Sequence, residues 1–213
     1  MCTLEGEAYW VVSVVFSPNG QQVLIASTDA TAKVWSAASG ACLRTLDGHT
    51  NWVLSALFSL DGQRVVTGSS DATAMLWLAA SGECLRSLRG HTASVHSASF
   101  SPDCKQVLTA SEDGTARVWS AASGACLRTL VCHARGVRLA AYSPDGQQVL
   151  TACQNVTLQV WSSAWGERLR ILEGHRHYVR FAVFSHDGTQ VLSASGDGTA
   201  RVWSAASGEC LRV

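Results

Sequence analysis

Residues 114–124 read GTARVWSAASG, and residues 198–208 repeat the same eleven letters. The tryptophan inside this phrase recurs as Trp35, Trp77, Trp119, Trp161 and Trp203, at a strict period of 42 that carries through the whole chain of 213 residues. A fixed period of this length marks a repeat architecture, in which each supersecondary unit buries its faces against its neighbours. Working outward from Trp119, the alternating segment VHSASF (95–100) leads through a turn at Asp103-Cys104 to QVLTAS (106–111), then through Asp113-Gly114 to TARVW (115–119), and past SAASG to CLRTL (126–130). Short runs of alternating apolar and small residues, divided by turn signals, predict four strands per unit. The first turn reads Asn19-Gly20, Asp61-Gly62, Asp145-Gly146 and Asp187-Gly188 elsewhere, dipeptides that supply the positive φ of a tight hairpin. The expectation is an all-β chain forming one domain over 1–213, with units at about 5–46, 47–88, 89–130, 131–172 and 173–213.

Composition narrows the function classes. Sixteen basic and 16 acidic side chains balance to zero, which argues against a nucleic-acid partner held by counterion release. A chain of this length buries enough surface to need no metal or disulfide staple. The N-terminal MCTLEGEAYWVVSVVF lacks the basic region of a signal peptide, and its apolar run is too short for a bilayer. The expectation is a cytoplasmic or nuclear protein without membrane contact. Cys42, Cys84, Cys126 and Cys210 share one phase on separate fourth strands, too far apart for disulfides, and read as small packing residues. Arg44, Arg86, Arg128, Arg170 and Arg212 share another, and read as charges that keep outer strands from pairing with other sheets.

Gly48-His49, Gly90-His91 and Gly174-His175 each precede the repeat tryptophan by a constant interval, with FSPDG-like turns and SxDxT-like segments between. This pattern resembles the WD-repeat β-propeller family over the whole chain. The resemblance implies a β-propeller of five four-stranded blades, closing as a small ring or forming an open arc of a larger one. The tryptophan is followed by Ser36, Leu78, Ser120, Ser162 and Ser204, never by the family's aspartate.

A histidine, a hydroxyl and an aspartate recurring together in three of the five units could suggest a nucleophilic triad. Their repetition argues otherwise, because an active site is needed once. The resemblance implies instead a buried structural tetrad: His49, Thr67, Asp71 and Trp77 in blade two, His91, Thr109, Asp113 and Trp119 in blade three, and His175, Ser193, Asp197 and Trp203 in blade five. Blade one has Glu7 and Ile25 in place of the histidine and the hydroxyl. Blade four has Asn155 for the aspartate and Cys132 before His133. A zinc site from Cys126, Cys132 and His133 lacks a CxxC pair, so no metal, cofactor or catalytic residue is expected.

Repeats on a shared scaffold differ where they meet something else. The loops with the SAASG phrase are nearly constant, whereas those before the first strand read EGEAYW, DGHTNW, RGHTAS, VCHARG and EGHRHY. In an up-and-down blade these variable loops share a face with the hairpin between strands two and three, where Thr28, Ser70, Glu112, Gln154 and Gly196 vary. Trp10, Trp52 and Tyr178 occupy one phase as aromatic anchors. Just past an unvarying valine the chain reads Val12, Leu54, His96, Arg138 and Arg180, so with Arg135, Arg176 and His177 positive charge gathers on blades four and five. The candidate partner-binding residues are therefore Trp10, Trp52, His96, Glu112, Arg135, Arg138, Gln154, Arg176, His177, Tyr178 and Arg180.

The favoured reading is a non-catalytic scaffold that binds a protein or peptide, acidic or phosphorylated, through forked hydrogen bonds from these arginines. A lectin-like module is the alternative of another class, since Trp10 and Tyr178 could stack on sugars. Similarity to the repeat arrays of NACHT-type receptors implies a third, a ligand sensor within a larger protein, though no GxxxxGK[ST] motif is present. An open arc would also self-associate through its ends.

Overall fold

The computed structural model describes residues 10–132, 136–154 and 156–213. They form five antiparallel four-stranded sheets, at residues 11–46, 53–88, 95–131, 137–172 and 179–212, each with its strands in sequence order. Blade three is representative: Val95–Phe100, Gln106–Ser111, Thr115–Ser120 and Cys126–Val131. The first strands of consecutive blades lie side by side, and all five line one apolar central cavity of about 920 Å³. First strands are therefore innermost and fourth strands outermost.

Alternation inside each strand builds the core between blades. One face of a blade presents second- and third-strand residues such as Leu108, Ala110, Ala116 and Val118. These meet Val137, Ala140, Val149 and Trp161 of the next blade, and the apolar cluster between them is almost sealed from solvent. The same arrangement joins blades one and two, two and three, and four and five. Among the described residues no such cluster joins blade five to blade one.

The two ends of each blade are tied by backbone bonds that recur with the repeat. On one end the amides of Ala37, Ala79, Ala121, Ser163 and Ala205 donate to the carbonyls of Gln21, Gln63, Lys105, Gln147 and Thr189, joining the SAASG loop to the first hairpin. On the other, the amides of Thr28, Ser70, Glu112, Gln154 and Gly196 donate to the carbonyls of Trp10, Trp52, Ser94, Gly136 and Tyr178. The variable loop and the variable hairpin are thus fastened to each other.

Turn chemistry departs from the repeat in three places. Cys104 has φ +57 where its counterparts are glycines, and Ala30 and Ala72 have φ +67 and +66 where blades three and five carry Gly114 and Gly198. A left-handed alanine is disfavoured by roughly 1 kcal/mol or more because its Cβ crowds the following carbonyl. Ala72→Gly is therefore expected to stabilise the chain by about 1 kcal/mol in urea unfolding, and a loss of stability would show that the Ala72 methyl is needed for packing.

The outer strands depart from one sequence reading and add to the other. The cysteines at 42, 84, 126 and 210 are exposed and unbridged rather than packed. Arg44 and Arg86 donate through Nε to the carbonyls of Ala80 and Ala122, at 2.9 and 3.2 Å, in the SAASG loop of the following blade. Arg128 and Arg170 lie against Gly166 and Gly208 in the same way. These side chains latch neighbouring blades together.

Candidate functional site

The tetrad residues of blades two, three and five form bonded chains. In blade three His91 Nδ1 lies 2.8 Å from Asp113 Oδ2, His91 Nε2 lies 2.7 Å from Thr109 Oγ1, and Trp119 Nε1 donates to the same Oγ1 at 2.8 Å. An ionised carboxylate can only accept, so Nδ1 carries the proton and Nε2 accepts from the threonine hydroxyl. That hydroxyl oxygen in turn accepts from the indole, so every member is satisfied. Blade two repeats this through His49, Asp71, Thr67 and Trp77, and blade five through His175, Asp197, Ser193 and Trp203. Thr67, Thr109 and Ser193 are fully buried, so their hydroxyls meet no solvent-borne molecule.

Two further contributors escaped the sequence reading. Thr73, Thr115 and Thr199 donate their hydroxyls to Oδ1 of the tetrad aspartate, and the amides of Thr50, Thr92 and Arg176 donate to Oδ2. The constant threonine two places beyond each aspartate was the available signal. The glycine before each histidine has a steric reason: a Cβ at Gly48, Gly90 or Gly174 would stand 3.1 to 3.4 Å from the ring of the tetrad tryptophan.

Blades one and four solve the same problem differently. In blade one Lys33 Nζ reaches Asp29 at 3.2 Å, while among the described residues buried Trp35 Nε1, beside Ile25 in place of the hydroxyl, has no partner. In blade four Trp161 Nε1 still donates to Thr151 Oγ1 at 2.9 Å, with the Cys132 thiol beside it at 3.6 Å. Glu7, His133 and Asn155 lie outside the described residues.

Ionisation of the network opposes acid. Burial alone would raise Asp113, but bonds from Thr115 and His91 outweigh it and bring the carboxyl down to about 2. Burial lowers His91, only partly opposed by Asp113. A depressed carboxylate stabilises the fold above its unfolded pKa near 4, and that contribution is lost as pH falls from about 4 to about 2. A depressed histidine stabilises the fold above about 6.5, and that contribution is lost as pH falls below it, when the unfolded chain binds the proton first. The Tm is therefore expected to fall in two stages on acidification, below about 6.5 and again below about 4. A Tm that rises between pH 7 and 5 would contradict this.

The candidate partner-binding residues stand on the variable end of the blades. Arg138, Gln154, Tyr178 and Arg180 line one cavity of about 490 Å³. Arg180 lies over the Tyr178 ring at 5.2 Å and donates to its hydroxyl, while His177 packs edge-on against the same ring at 4.4 Å. His96 Nε2 stands 3.9 Å from Glu112 Oε2. Burial, the Arg138 charge and a weaker opposing pull from Glu112 leave His96 below the ordinary histidine range, so it is neutral near pH 7. Among the described residues neither Arg138 nor Arg180 has a carboxylate partner.

None of the other candidates among the described residues lines this cavity. Trp10 and Trp52 are 80% and 53% exposed, at the matching level of blades one and two. Arg176 is exposed, and Arg135 lies outside the described residues. No group of three or more metal-ligating side chains, and no helix long and apolar enough to cross a membrane, occurs among the described residues.

The family model described as "WD domain, G-beta repeat" matches the chain five times, at residues 1–36, 40–77, 82–120, 124–162 and 166–204. From the second match onward, each takes in the outer strand of one sheet and the three inner strands of the next, so the family unit straddles the sheets. No curated protein matches the chain significantly.

Proposed function

The chain belongs to the WD-repeat family, whose repeats generally mediate protein interactions, and on that premise we propose that it is a non-catalytic scaffold binding an acidic or phosphorylated segment of a partner protein. The supporting observation is the single cavity shared by Arg138, Gln154, Tyr178 and Arg180. Among the described residues neither guanidinium group has a carboxylate partner, and an incoming carboxylate or phosphate would supply one while accepting forked hydrogen bonds. Tyr178, braced by Arg180 and His177, offers a rigid aromatic wall beside them. Neutral His96 next to Arg138 can take up a proton as the anion arrives. The partner would then be gripped at the inner rim of the variable end, with Trp10 and Trp52 free to extend the contact.

Fluorescence anisotropy with a glutamate-rich peptide, its phosphoserine counterpart and a neutral glycan tests the reading. Each of Arg138→Ala and Arg180→Ala is expected to weaken peptide binding about 10-fold or more, since a charge-assisted bond contributes about 1.5–3 kcal/mol. Affinity should fall with added salt. Equal binding of acidic and neutral peptides, or capture of the glycan instead, would overturn it.

A further inference from the structure

The four interfaces between blades define two complementary faces, and among the described residues no cluster covers the blade-five copy of one or the first-strand side of the blade-one copy of the other. The face toward the following blade carries Leu24, Ala26, Ala32 and Val34 in blade one, and Leu108, Ala110, Ala116 and Val118 in blade three, all buried. Blade five carries the same four residue types at Leu192, Ala194, Ala200 and Val202, yet Leu192 is 43% exposed and Ala200 is exposed. The face toward the preceding blade carries Val53, Ala56, Val65 and Trp77 in blade two, again buried. Blade one carries Val11, Val14, Val23 and Trp35 in those places; Val11 is 58% and Val14 54% exposed, whereas Val23 and Trp35 are buried, so the open part of this face is its inner, first-strand side. The valine at 14 replaces an alanine and leaves the surface apolar. The outer latch has the same two loose halves. Among the described residues Arg212 continues the arginine series without a side-chain bond, and the Ala38 carbonyl corresponds to those of Ala80 and Ala122 that accept from Arg44 and Arg86.

We propose that the blade-five face of one copy of this chain docks on the exposed first-strand side of the blade-one face of a second copy, reproducing the inner part of the interface that already joins blade three to blade four. The argument is one of continuity: the two surfaces are those that pack together four times inside the molecule, and contiguous apolar area of this kind is costly to leave in water. Such an interface is heterologous. It closes a ring if the rotation between copies permits and otherwise extends as an open series.

Sedimentation equilibrium across concentration tests it with two single variants, both at exposed positions so that each chain keeps its fold by circular dichroism. Val14→Glu blocks only the blade-one face, and Leu192→Glu only the blade-five face. The parent chain is expected to form dimers or larger species in the micromolar range, and each variant alone to sediment at the monomer mass of 22.6 kDa. An equimolar mixture retains one intact face on each partner and should yield a 1:1 complex at twice that mass and nothing larger. Three results would overturn the proposal: a monomeric parent at all concentrations, association that survives either charge, or a mixture that stays monomeric.

Discussion

Replacing Thr109 with valine is expected to destabilise the chain by about 3 kcal/mol, although the two side chains have nearly the same volume. No cavity is created, so the loss is almost wholly polar. Thr109 Oγ1 is bonded both to His91 Nε2 at 2.7 Å and to Trp119 Nε1 at 2.8 Å, and it is fully buried. Valine leaves an acceptor on the imidazole and a donor on the indole with nothing to pair and no water to reach them. Each orphaned group costs about 1–3 kcal/mol. Thr109→Ser keeps the hydroxyl, as Ser193 does naturally in blade five, and should cost under about 1 kcal/mol because only a methyl is lost. Urea unfolding of the two variants separates the cases, and equal losses would mean that methyl packing rather than hydrogen bonding dominates at this position. Blade one already lives with half of this defect, since Ile25 offers no hydroxyl and Trp35 Nε1 has no partner among the described residues.

That tolerance shows where sequence reasoning reached and where it stopped. The spacing of 42 between tryptophans, together with the turn glycines, carries the five-sheet architecture, because both depend on residues close in the chain. The gaps in blade one were also visible as Ile25. The repair was not read: Lys33 stands only four residues past Asp29, but the pair is brought together by the hairpin turn between strands two and three rather than by a helix, so its spacing carried no known signal. The added role of the outer arginines, bonding across blades, was not legible either. Their acceptors, the carbonyls of Ala80 and Ala122, stand in the next blade, and 36 residues separate each pair. At the variable end, comparing repeats singled out Arg138, Gln154, Tyr178 and Arg180, which the structure gathers around one cavity. It also singled out Trp10 and Trp52, which share their level but stand on other blades. Phase within a repeat fixes height along the axis, whereas distance around the axis depends on how blades are arranged.

Position around the axis also decides the second large effect. Leu108 and Leu192 occupy the same place in QVLTAS and QVLSAS, and each faces the same eleven-residue phrase across its sheet. Leu108 is fully buried against blade four, whereas Leu192 is 43% exposed. Leu108→Ala removes a side chain from a closed cluster and is expected to cost about 3 kcal/mol, the transfer of the lost atoms plus the cavity they leave. Leu192→Ala in dilute monomer should cost under about 1 kcal/mol, because its side chain is already half in water. The site of the loss matters as well as its size. An array of repeats is held by the sum of intrinsic and nearest-neighbour terms, and Leu108 belongs to the junction between the first three blades and the last two. Weakening that junction uncouples the two parts, so the Leu108→Ala unfolding curve should broaden or divide while that of Leu192→Ala keeps its shape. Matching losses for the two substitutions would mean that the blade-five face is covered in solution, and repeating the measurement with Val14→Glu in the background would show whether a second copy is what covers it.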